Sequence, residues 1–141
     1  MIGGVFLYGP LDRWFGTRKW VVFGGNILTL SCLLGLYVFG ASSYIVTIIM
    51  LCGVGFFGAT FPVVIAHGKG FFPAHLTGRG VTLLNMFSIG GVGLAQMVAR
   101  PLHDSYQGTD IAAPFAAVFL LFAVMLITGL SLYLFSQDNT D

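Results

Sequence analysis

Few side chains in this chain are equipped for chemistry. Among 141 residues there are three histidines (His67, His75, His103), two cysteines (Cys32, Cys52) and five acids, every one an aspartate. Metal sites draw ligands from close pairs such as Cys-x2-Cys, and the histidines at 67, 75 and 103 hold no such spacing. His67, Lys69 and His75 share the segment HGKGFFPAHLTGR, but it contains no acid to orient a base, and no nucleophile–base pair assembles elsewhere. Each cysteine falls inside an apolar run, which reads as a buried free thiol. The expectation is a protein that is not an enzyme and uses no cofactor or metal. Two other polar groups stand out. Asp12, Arg13, Arg18 and Lys19 combine a carboxylate with cations, suited to ion pairs and helix-end contacts. Asn85, Ser88 and Gln96 place amides and a hydroxyl in an apolar run, suited to hydrogen bonds with another helix or a polar solute.

The elements that position these groups are long apolar segments. Hydrophobic residues make up 57% of the chain and charged residues 8%, against about a quarter charged in soluble domains. The expected fold class is therefore an all-α membrane protein. Four runs, 20–40, 44–66, 80–99 and 111–135, contain no charged residue. Each has about 20 residues or more, enough to cross a hydrocarbon core about 30 Å thick. In lipid a single segment must satisfy its own backbone, so each is expected to be a helix. Residues 1–8 read as the last turns of a fifth helix that begins upstream of Met1, and 9–19 as the loop after it. The lipid bilayer is the first partner implied. A net charge of +1 offers no basic stripe for nucleic acid.

Connections and charge set the topology. The link Ala41–Ser43 is short, so the first two spans are expected to be antiparallel neighbours. In the next loop Phe71, Phe72 and Leu76 are expected in the headgroup layer. Arg100 and Pro101 are expected to end the third span, leaving a polar turn to Asp110. The loops 10–19 and 67–79 and the tail then share one side, which holds Arg13, Arg18, Lys19, Lys69 and Arg79; the other side holds only Arg100. This excess marks the first side as cytoplasmic. An integral inner- or plasma-membrane protein with a cytoplasmic C-terminus is expected.

The loop YGPLDRWFGTRK carries a resemblance. Gly9, the pair Asp12-Arg13, Gly16 and the pair Arg18-Lys19, between two apolar segments, resemble the signature loop of the major facilitator superfamily of transporters. One residue more than usual separates Asp12-Arg13 from Gly16, and Tyr8 stands where the family commonly has its first glycine. The resemblance implies a twelve-helix bundle in two halves of six, with this loop before helix three or helix nine. The second span has no Arg and the third no Pro, unlike the corresponding helices of many first halves, which favours the end of helix eight to helix twelve. It further implies secondary transport of a small solute by alternating access, with the N-terminal helices as partners. In that reading Asp12, Arg13, Gly16, Arg18 and Lys19 form a cytoplasmic latch against a helix end of the other half. The alternative makes the basic residues topology determinants that meet lipid phosphates.

The spans differ in polarity. On a helical wheel Asn85, Ser88, Val92 and Gln96 share an arc of about 80°, which is expected either to line a substrate pathway or to bond neighbouring helices. Gly91 and Ala95 form a small-xxx-small pair expected to pack on a helix. The second span carries Gly55, Gly58 and Pro62, expected to kink it, as a static bend or as a gate. The first and fourth spans read as outer, lipid-facing helices, with Asn26 in a packing hydrogen bond. No Asp, Glu, His, Lys or Arg lies inside the four runs, so a coupling group is expected in other helices. Rival readings are a free-standing four-helix membrane protein and a structural membrane subunit.

Overall fold

The computed structural model describes residues 3, 4, 6, 18–106, 108 and 110–136. Among them the chain is helical, with four stretches long and apolar enough to cross a membrane. The helices are α1 (Arg18–Phe39), α2 (Tyr44–Phe57), α3 (Phe61–Lys69), α4 (Thr77–Ser105) and α5 (Ala113–Leu134). A 3-10 turn at Ala74–Leu76 precedes α4.

The second span is two helices. The turn at Gly58, Ala59 and Thr60 parts α2 from α3, and Pro62 stands in the first turn of α3, where its missing N–H is least harmful. The kink expected from Pro62 is thus a break just before it. The ends of the third span depart further from expectation. Helix α4 has 29 residues, roughly 43 Å at the usual rise, and runs through Arg100 and Pro101 to Ser105. Pro101 removes one backbone hydrogen bond without ending the helix, so Arg100, His103 and Asp104 are helical residues, not members of a polar turn. At its start α4 takes in Thr77 to Arg79, and α3 reaches Lys69, so the connecting loop is far shorter than 67–79. Between α4 and α5, Gly108 has φ +100°, a conformation that glycine adopts without strain.

Packing corrects the expectation for α1. Val22, Gly25, Thr29, Leu33 and Leu36 recur at helical spacing, and all are buried. This face packs against both α2 and α5, so α1 is central among the described helices, while Ile27, Leu28, Leu34 and Val38 on its other sides are exposed. Glycine permits the approach: a Cβ on Gly53 of α2 would lie 2.7 Å from Cys32 Sγ of α1. Cys32 is accordingly half-buried, whereas Cys52 is exposed; neither is in a disulfide. A small apolar core of Val22, Ala59 and Val63 joins α1 to α3, with Tyr133 of α5 packed on it.

Helix α4 lies at the margin. Only Gly80 and Ala95 are buried along it, while Ile89, Leu94 and Met97 are each exposed. Gly80 is closed over by the Phe72 ring, and Gly68 of α3 sits against Leu84. Phe72 is half-buried there, and Phe71 is exposed.

Candidate functional site

The ends of α1, α3 and α5 that meet at one end of the bundle are joined by polar contacts between residues far apart in sequence. Helix α1 starts there and α3 and α5 finish there, which brings Lys19, His67 and Tyr133 together. Lys19 Nζ donates to the carbonyls of Leu134 at 2.8 Å and Ser136 at 2.5 Å. The last carbonyls of a helix lack intrahelical donors and carry partial negative charge, so an ammonium is well placed there.

One residue earlier in α5, Tyr133 Oη lies 2.9 Å from His67 Nδ1. The His67 ring is only 2% exposed and meets the Tyr133 ring edge-on, with centroids 5.5 Å apart. Phe71 covers a second edge at 5.3 Å. A buried imidazole is costly unless its nitrogens are hydrogen-bonded, and the tyrosine hydroxyl supplies such a partner. Deeper in the bundle, Asn26 Nδ2 donates to Val22 O at 2.8 Å and to Thr60 Oγ1 at 3.3 Å, the packing hydrogen bond expected of Asn26. Thr60, Val63 and His67 thus form one inward face of α3, its two ends polar and its middle apolar.

His67 is the residue that sequence reasoning misplaced. It was expected in a loop, but it is a buried helical residue near the end of the second span. The spacing Thr60, Val63, His67, at i, i+3 and i+7, is the signal that finds it. His75 is exposed in the 3-10 turn, and His103 is half-buried beside Phe115 and Asp104, with Nδ1 3.3 Å from Asp104 Oδ1. Among the described residues no three His, Cys, Asp or Glu side chains approach closely enough to hold a metal ion.

The sequence-predicted site residues are divided. Asp12, Arg13 and Gly16 lie outside the described residues, and Arg18 is described only as the first residue of α1. Lys19 reaches α5 of its own chain. Asn85 and Ser88 are half-buried and Gln96 is exposed. Ser88 Oγ donates to Leu84 O at 2.8 Å, within its own helix. The polar arc lies beside, not on, the packed line of Gly80, Leu84 and Ala95, offset by roughly 80–100° around the helix. Gly91 is not at a helix contact in this chain: a Cβ there would meet nothing within 4 Å, and the same holds for Gly90 and Gly93.

Comparison with known proteins yields no match to a family model, a curated protein or a solved structure.

Proposed function

We propose that the chain is part of a secondary active transporter that moves a small solute across a membrane by alternating access. The observation that carries this reading is the polar arc of α4. Asn85, Ser88 and Gln96 flank the packed face, with Asn85 and Ser88 only half-buried by the other helices and Gln96 exposed. Amides and hydroxyls are disfavoured against hydrocarbon, so the arc calls for further helices or water beside it. A transporter of the major facilitator type supplies both, and the loop around Asp12-Arg13, Gly16 and Arg18-Lys19 resembles its signature. In this reading that loop is a cytoplasmic latch, the C-terminus is cytoplasmic, and the remaining helices of the transporter are the chain's partners. The bilayer is an inner or plasma membrane.

A second reading has its own observation. The contact of Lys19 with α5 and the central place of α1 join the first and last spans of the chain, as a self-contained four-helix protein or a structural subunit would require. An antibody against residues 100–110, used on native membranes under denaturing conditions, separates the two. The transporter reading expects a band about three times the 15.1 kDa of this chain, for twelve helices against four. A single band near 15 kDa would overturn it.

A further inference from the structure

Helix α3 has nine residues and is parted from α2 by the turn at Gly58, Ala59 and Thr60. Pro62 in its first turn offers no N–H to the preceding turn. Both ends of its inward face are held by side-chain hydrogen bonds. At the turn, buried Thr60 Oγ1 accepts from Asn26 Nδ2 of α1. At the far end, His67 Nδ1 pairs with Tyr133 Oη of α5 at 2.9 Å. Between them Val63 alone is buried, in the core with Val22 and Ala59. About 100° round the helix from His67, Gly68 presents no side chain to Leu84 of α4, which sits where its Cβ would be.

We propose that α3 is a hinged segment that swings about Gly58–Thr60 as a unit, and that the His67–Tyr133 hydrogen bond is the catch holding its far end to α5. A helix this short has little stability of its own and keeps its place through tertiary contacts. The contact at the hinge is retained when the far end moves, because Asn26 pins Thr60 at the pivot itself. The catch is seven residues along, about 10 Å at the usual rise, so a small rotation at the turn separates His67 from Tyr133. Beyond the catch the chain turns directly, with Gly70 N donating to His67 O at 3.1 Å, and no helix carries on to stiffen it. This motion lies within the chain and does not depend on transport.

Amide hydrogen exchange of the full chain in lipid nanodiscs tests it. Tyr133→Phe keeps the ring and deletes the hydroxyl, leaving buried His67 without that partner. Exchange over 63–70 is expected to rise about tenfold while exchange over 44–57 is unchanged, the pattern of a local opening. A rise shared equally by 44–57, or no rise in the folded variant, overturns the proposal. His67→Phe fills similar space with no hydrogen bond and is expected to give the same pattern, which keeps the test open if Tyr133→Phe does not fold. Normal protection in His67→Phe would dispose of the catch. Pro62→Ala restores an N–H able to bond the Gly58 carbonyl across the break, and is expected to join α2 to α3 as one helix. On that background Tyr133→Phe is expected to raise exchange over 63–70 less than threefold, and an undiminished tenfold rise would rule out the hinge.

Discussion

The Nζ of Lys19 lies 2.8 Å from the carbonyl oxygen of Leu134, a residue 115 positions further along the chain. One side chain at the start of α1 therefore caps the end of α5 and helps hold the two helices antiparallel. Lys19→Met keeps the apolar stem but removes the donors, and is expected to cost roughly 0.3–1 kcal/mol of stability. Lys19→Arg is expected to retain most of it. Thermal unfolding of both variants in detergent is the measurement, and identical melting of Lys19→Met and the parent would show that the contact stabilises nothing.

Two glycines predict opposite responses. A side chain at Gly53 must displace Cys32 Sγ, 2.7 Å from where its Cβ would be. Gly53→Leu is expected to destabilise by about 1–3 kcal/mol through overpacking between α1 and α2. Gly91→Ala meets nothing within 4 Å and is expected to be neutral or to stabilise α4 by up to about 1 kcal/mol. Denaturation of the two variants in mild detergent checks both. A destabilised Gly91→Ala would place a helix contact where this chain shows none.

If the α4 arc faces water, cysteines at Asn85, Ser88 and Gln96 should react with a small membrane-impermeant thiol reagent. The background for this labelling is a chain with Cys32 and Cys52 replaced. Leu94 and Met86, exposed on other faces of α4, serve as lipid-facing controls and are expected to resist. Uniform protection at the three arc positions would remove them from any solute pathway and leave them as interhelical bonding groups.

Charge predicts the orientation. Lys69 and Arg79 flank the exposed His75 at one end of the bundle, and Arg100 lies towards the other. A cysteine at His75 should be labelled only after the cytoplasmic side is opened, and one at Ser105 from outside intact cells. Labelling of position 75 from outside would reverse the assignment of sides.

The sequence by itself determined that the chain is helical and membrane-embedded. With 8% charged residues and four continuous apolar runs of about 20 residues or more, the chain has the pattern of spanning helices and not the short alternating strands of a closed barrel. It also located the break near Pro62, because a proline's missing donor is a local property. Helix ends were less legible: α4 continues past Arg100 and Pro101, since a charge or a proline near the end of a long helix is tolerated. Which faces pack could not be read from α1, because its residues are apolar on nearly every side and Val22 and Leu36 look no different from exposed Leu34 and Val38. In a membrane, inward and outward faces are both apolar, and shape, not polarity, selects the contact. The tertiary structure alone decided that Gly53 meets α1 while Gly91 meets nothing. It also decided that His67 and Tyr133, 66 residues apart, share a hydrogen bond. Such a pairing depends on two helices ending at the same level, a property of the assembled bundle that neither helix carries alone.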